Sequence, residues 1–381
     1  MKYFVKWSNI VISVIFICLI VSVKAQDITV SAKSAILICA DSGSVIFAKN
    51  EREPLPMAST TKIMTSLLAL ENMEACGNKE VEITDDMVRV EGTSMGLMPG
   101  NIVDLNALAE GMLTVSGNDA ANAAAIAVGG STENFVNLMN EKAKLIGMKN
   151  TKFCTPSGLD KNDHHSTAED MAFLGAYAME NENFANIVSK KSIKVHFINP
   201  NKYVTMKNHN KLLRLYDGCI GIKTGFTKSA GRCLVSCAQK DSAKLVCVTL
   251  NAPNDWDDHI KLYNYGFENI KSKIFDDTDF SIEIPTNDPR VASVSAKSDS
   301  AFQVCVPRSG ESKIRREVEI PSLCNLPVEK GQIIGNVVYY LDENVIGKNA
   351  IISNETIVLE NQKSEGLFSK IKSFFARIFH L

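Results

Sequence analysis

Pro56-Met57-Ala58-Ser59-Thr60-Thr61-Lys62-Ile63-Met64 sets a serine and a lysine three residues apart at the start of an apolar run. From Thr60 to Met73 apolar side chains fall at Ile63, Met64, Leu67, Leu68 and Leu70 with no Gly or Pro among them, so the run predicts a buried helix. Pro54 and Pro56 precede it, as a helix start allows. Residues three apart on a helix are neighbours, which brings the Lys62 amine within reach of the Ser59 hydroxyl. A serine hydroxyl is a weak nucleophile at neutral pH and needs such a base. The helix start adds a positive dipole end and an unpaired backbone N–H, both suited to an oxyanion at Ser59.

A lysine takes up a proton only when it is neutral, so its pKa has to fall; desolvation and a second nearby cation both promote this. Lys223 is the obvious second cation. It opens Lys223-Thr224-Gly225, which follows the short apolar stretch Gly218 to Ile222, expected to be an inner strand. The Lys223 ammonium and Thr224 hydroxyl suit a terminal carboxylate, Gly225 is expected to leave room for substrate at the strand edge, and Phe226 offers a second oxyanion N–H. Between these segments lies Ser116-Gly117-Asn118. Ser116 suits proton transfer to a leaving amine, and Asn118 suits holding a substrate amide. Order and spacing of the three triplets fit one acyl-enzyme site assembled from distant segments.

On these triplets the chain resembles the low-molecular-weight penicillin-binding proteins that are serine-type D-Ala-D-Ala carboxypeptidases. Pro56-Met57-Ala58, Asp119-Ala120-Ala121, Gly158-Leu159-Asp160, Ser166-Thr167-Ala168, Asp170-Met171-Ala172, Asp217-Gly218 and Ala230-Gly231 extend the likeness over almost the full length. The resemblance implies that Ser59 is acylated, that Lys62 accepts its proton, that Ser116 shuttles a proton and that Lys223 binds the substrate carboxylate. It implies peptidoglycan stem peptides as substrate, β-lactams as covalent inhibitors, and no cofactor. Where many members carry His after Lys-Thr-Gly, this chain has Phe226, which leaves side-chain specificity open. Thr155 to Ala168 contains no Glu to activate a deacylating water, so rapid turnover of a penicilloyl enzyme is not expected. A D,D-endopeptidase would carry the same residues and differ in cleft access, whereas intact Lys62 and Ser116 argue against the other alternative, a β-lactam-sensing wall-binding protein with weak turnover.

Composition agrees. At 381 residues the chain exceeds one typical domain. A net charge of -2 offers no electrostatic footprint for nucleic acid. Lys2 and Lys6 precede an apolar run from Ile10 to Val23, and Val23-Lys24-Ala25 supplies small residues at the cleavage positions, so residues 1–25 predict a secretory signal peptide. Phe16-Ile17 before Cys18 argues against lipidation. Cys39, Cys233, Cys237, Cys247 and Cys305 lie in apolar stretches and are expected to be buried free thiols. His164 and His165 are adjacent and the other His residues lack ligand spacing, so no metal site is expected. For Arg232, carboxylate binding, strand packing and surface exposure are equally open.

The expected fold is α/β (α+β). Residues 28–275 form a β-lactamase/transpeptidase-like catalytic domain, in which an opening hairpin around Asp41-Ser42-Gly43 joins strands after residue 218 in one antiparallel sheet. Helices are expected at 118–128, 132–145 and 256–267, with Ser166-x-x-Glu169 as a capping box for another. Short alternating runs over 276–362 predict a small β-sandwich domain. Over residues 366–381, Leu367, Phe368, Ile371, Phe374, Phe375, Ile378 and Phe379 form an apolar stripe opposite Lys370, Lys372 and Arg377. That pattern predicts an amphipathic helix lying on the extracytoplasmic face of an anionic membrane.

Overall fold

The computed structural model describes residues 28–161 and 163–358. Five antiparallel strands form the central sheet in the order Val45–Lys49, Ser34–Cys39, Ala243–Leu250, Gly231–Lys240, Cys219–Thr227. Both ends of the catalytic segment therefore meet in one sheet, and Cys219–Thr227 is left as an edge. The three inner strands are buried almost throughout, as continuous apolar runs such as Leu245-Val246-Cys247-Val248 require.

Helix Asp255–Asn269 covers one face, packing Leu262 and Tyr263 on Leu37, Leu245 and Cys247. The other face carries the helical middle of the chain, with Lys62–Cys76, Asn118–Gly129, Thr132–Ile146 and Ala168–Ala178 around a core of Ile63, Leu67, Leu108, Phe135 and Met171. Ala-rich Asn118–Gly129 lies at the centre of this bundle, where small side chains admit close helix packing.

Two local expectations change. The Ser59 segment is a 3-10 turn, Ala58–Thr61, and the α-helix begins at Lys62 rather than Thr60. The cap of Ala168–Ala178 is Thr167, whose hydroxyl accepts from Asp170 N at 3.1 Å. Ser166 instead sits 2.7 Å from Thr151 Oγ1 and exchanges backbone bonds with Leu55. Tertiary pairing wins over the local capping pattern there.

Beyond the sheet, Ile270–Asp276 pairs along its whole length with Ala301–Pro307, over a second sheet ordered Ser281–Pro285, Ser293–Lys297, Asn344–Ser353, Ile333–Leu341, Ile314–Glu319. The strand ending at 276 thus joins the C-terminal layers, across the position expected as a boundary. Phe275, Val304, Val337, Tyr339 and Ile351 fill the space between the layers. The Asp41–Ser44 turn of the opening hairpin grips this unit: Cys305 N donates to Asp41 Oδ2 at 2.9 Å and Ser42 Oγ donates to Cys305 O at 2.8 Å. The segments 1–25 and 366–381 lie outside the described residues.

Candidate active site

Ser59, Ser116, Asn118, Thr224, Gly225 and Phe226 line one cleft of about 870 Å³, while Lys62 and Lys223 are buried behind its floor. All eight residues expected from sequence are thus gathered around one space. The edge strand crosses the Ala58–Thr61 turn at very close range. A Cβ on Gly225 would stand 3.0 Å from Met57 O and 3.1 Å from Ser59 N. Glycine at this position lets the edge strand lie this close to the Ser59 turn without crowding, while Gly225 also lines the cleft. This approach sets the Gly225–Phe226 backbone beside the Ser59 N–H, which has no intramolecular acceptor among the described residues.

The Lys62 amine has three neighbours: Asn118 Oδ1 at 2.6 Å, Ser157 O at 2.6 Å and Ser59 Oγ at 3.0 Å. Two of these can only accept, so they take two N–H groups. A neutral amine then presents its lone pair to the serine hydroxyl. Burial, reinforced by the positive charge of Lys223, lowers the Lys62 pKa well below the usual lysine value. Burial alone brings Lys223 down to about 7, and its Nζ donates to Thr224 O at 2.8 Å. No carboxylate forms an ion pair with either lysine among the described residues.

The second triplet is braced from outside. Thr93 Oγ1 donates to Ser116 O at 2.6 Å, and Asn118 Nδ2 donates to Glu91 O at 2.6 Å. Asp119 holds the neighbouring loop by accepting from Ser94 Oγ, Met95 N and Leu97 N at 2.6 to 3.0 Å. Ser116 itself has φ +65°, a left-handed conformation costly for a residue with a Cβ, and this surrounding mesh holds it there.

Sequence reading missed two contributors. Ser157 acts through its carbonyl, which leaves no side-chain signature. His164, taken only as a poor metal candidate, is a buried neutral strut. Cys154 N donates to its Nδ1 at 2.9 Å, so Nε2–H faces Thr61 Oγ1 at 2.8 Å, and that hydroxyl donates to Ala58 O at 2.8 Å. Burial pushes the His164 pKa down to about 4. The relay fixes Ala58, at φ +50°, immediately before the nucleophile. Arg232, left open from sequence, donates from Nε and Nη2 to the two Asp255 carboxylate oxygens at 2.8 to 3.0 Å and lies 5.4 Å over Trp256, at the wall of the cleft. Asp160 ties the opposite loop to the edge-strand turn by accepting from Ser229 Oγ at 2.6 Å.

Comparison with known proteins places this cleft among relatives. Residues 21–254 match the family described as D-alanyl-D-alanine carboxypeptidase, Peptidase S11, and residues 276–359 match the C-terminal domain of penicillin-binding protein 5. The chain is 32% identical over 377 residues to the D-alanyl-D-alanine carboxypeptidase DacC of Escherichia coli K12, covering 92% of this chain and 89% of that one. It is 29% identical to DacF of Bacillus subtilis 168 over 87% of each chain. Among solved structures, penicillin-binding protein 5 of Haemophilus influenzae superposes with a TM-score of 0.70 at 28% identity, over 87% of this chain and 99% of that one.

Proposed function

The chain belongs to the peptidase S11 family of serine-type D-alanyl-D-alanine carboxypeptidases, and from that premise we propose that it removes the terminal D-alanine of peptidoglycan stem peptides through an acyl-enzyme on Ser59. The observation that carries the assignment is the Lys62 amine, desolvated, 3.0 Å from Ser59 Oγ, with its N–H groups already engaged by two carbonyl oxygens. Lys62 takes the Ser59 proton as Oγ bonds to the carbonyl carbon of the penultimate D-alanine. The N–H groups of Ser59 and Phe226 receive the oxyanion. As the C–N bond breaks, Ser116 delivers a proton to the departing amine, and water then releases the shortened peptide. Lys223 and Thr224 hold the carboxylate of the leaving D-alanine, an anion that the buried ammonium lacks in the free protein. Asn118 both braces Lys62 and faces the acyl side of the substrate.

β-Lactams acylate the same serine. The test is D-alanine release from a pentapeptide ending in D-Ala-D-Ala, with Ser59→Ala alongside. Release by the parent and none by the variant supports the assignment. Labelling of Ser59 by fluorescent penicillin without any release would overturn it in favour of a sensor.

The finer location is also proposed: export by residues 1–25 and attachment to the extracytoplasmic face of the cell membrane through residues 366–381. The support is sequence pattern alone, the short basic-apolar leader and the Phe-rich stripe flanked by Lys370, Lys372 and Arg377. Among the described residues no helix is long and apolar enough to cross a membrane. Removal of 364–381 should shift the protein from the membrane to the soluble fraction. Retention at the membrane would refute the anchor.

A further inference from the structure

We propose that the outer face of the hairpin formed by Ser192–Phe197 and Lys202–Lys207 is a second substrate subsite, one that reads carboxylates on the acyl side of the stem peptide. The inference rests on the carboxypeptidase assignment above and extends it to substrate choice. Between Glu182 and Asp217 the chain contains no acidic residue, yet Lys190, Lys191, Lys194, Lys202, Lys207, Lys211 and Arg214 fall there, in a protein whose net charge is -2. Self-repulsion of this kind is unfavourable unless a partner anion compensates. None of these cations forms an ion pair among the described residues. Arg214 instead donates to Lys191 O at 2.9 Å, which fixes its guanidinium without neutralising it.

Register turns this charge into a track. Ile193, Val195, Phe197 and Met206 are buried under the hairpin, so Ser192, Lys194, His196, Tyr203, Thr205 and Lys207 share its outer face. Ser192 pairs with Lys207, Lys194 with Thr205, and His196 with Tyr203. The first of these pairs, together with Lys211 and Arg214, lines the same cleft as Ser59. The hairpin face is therefore a continuation of the active-site wall, with Lys194 one two-residue step, roughly 7 Å, beyond Lys207. At its far end the His196 and Tyr203 rings stack at 4.7 Å. Across the cleft, Asp255 is the one carboxylate on the wall among the described residues, and Arg232 already occupies it.

Chemistry assigns the direction. The leaving group of a carboxypeptidase is a single D-alanine, and its one carboxylate is taken by Lys223 and Thr224. Any second anion recognised by the cleft wall must come from the acyl side. Two ammonium groups set diagonally across the strand pair, roughly 7–8 Å apart, match an extended peptide that carries carboxylates at similar spacing. An anionic wall polymer would find the same charges but has no reason to be seated in line with Ser59.

The test uses the full chain and two peptides ending in D-Ala-D-Ala, identical except that the acyl-side carboxylates are free in one and carboxamides in the other. The free-carboxylate peptide is expected to have roughly tenfold higher kcat/KM at low ionic strength, mostly through KM, with the preference fading at about 0.5 M salt as exposed charges are screened. The double variant Lys194→Gln with Lys207→Gln, checked for an unchanged melting temperature, should bring the two peptides to within about twofold of each other. Equal kcat/KM in the parent, or a preference that survives in the double variant, overturns the subsite. So does loss of binding to a phosphate-bearing wall polymer in the double variant with peptide preference intact. No release from either peptide overturns the carboxypeptidase assignment and the subsite with it.

Discussion

Asp277, at the head of the C-terminal layers, and Lys62, beneath the cleft, are both buried ionisable residues, yet their surroundings differ in kind. Asp277 accepts from Arg316 Nε and a second guanidinium nitrogen at 3.1 and 2.8 Å, from the Tyr339 hydroxyl at 3.0 and 3.1 Å, and from Asn349 Nδ2 at 2.7 Å. Against the upward push of burial, these bonds from Asn349, Arg316 and Tyr339 hold its pKa below the usual carboxylate value. Lys62 has carbonyl and hydroxyl neighbours and, close by, another cation. One region satisfies its charge internally and gains rigidity from it. The other withholds a counter-ion, which fits the roles proposed for its two lysines, one a neutral base and the second a ligand for a substrate anion. Buried charge with a complete partner set marks architecture; buried charge without one marks chemistry.

The sharpest way to break that contrast is to exchange the consequences. Lys62→Met removes the base, so kcat/KM for D-alanine release should fall by about 10³-fold or more, since general-base catalysis contributes roughly 10² to 10⁴. Stability should change by less than about 2 kcal/mol, because relief of a desolvated amine offsets the donors lost by Asn118 Oδ1 and Ser157 O. Kinetics and denaturant melts on the same sample check both halves. A large destabilisation would mean that Lys62 is a structural residue like Asp277.

Asp277→Ala should do the reverse. Loss of a carboxylate that serves three donors should cost about 3 kcal/mol in the C-terminal layers. Activity toward a soluble peptide should stay within about twofold, since the layers reach the central sheet through contacts such as Asp41 and Ser42 with Cys305, none of which lines the Ser59 cleft. Limited proteolysis of the C-terminal layers reads the first effect and kcat/KM the second. Activity lost in step with stability would show that the two regions are coupled rather than contrasted.

How much of this was legible before the structure follows the same division. That the three triplets gather at one cleft was legible because the nucleophile, base and carboxylate ligand proposed for them need particular side chains at particular places. The central sheet was legible from alternation and turn residues around Asp41-Ser42-Gly43 and after Gly218. What acts through the backbone was hidden: Ser157 contributes a carbonyl, and the missing Cβ of Gly225 lets the edge strand approach the Ser59 turn. His164 was visible but looked purposeless, because its partners Thr61 and Cys154 are brought to it only by folding. Ser293–Lys297 offers only Val294 and Ala296 to its buried face and Asn344–Ser353 is broken by Gly347, Lys348 and Asn349, so neither gives a strong strand signal and their pairing is set by neighbours. Cys39, Cys233, Cys237, Cys247 and Cys305 are buried free thiols, as their apolar context suggested.

The contrast also fixes a pH profile. In the proposed mechanism Lys62 works neutral, so kcat/KM should rise with pH through its lowered pKa, by up to tenfold per unit on the acid limb. Lys223 works charged and has a pKa of about 7 in the free protein, so kcat/KM should fall again as pH rises through about 7. A bound carboxylate favours the ammonium, so the alkaline limb of kcat should lie at higher pH than that of kcat/KM. In Lys223→Arg the guanidinium stays charged, so the alkaline limb should vanish even if the maximum rate is lower. Profiles of both parameters for parent and variant decide the matter. An alkaline limb unchanged in Lys223→Arg would assign it to another group, and Lys223 would then stand with Asp277 as a charge kept for packing.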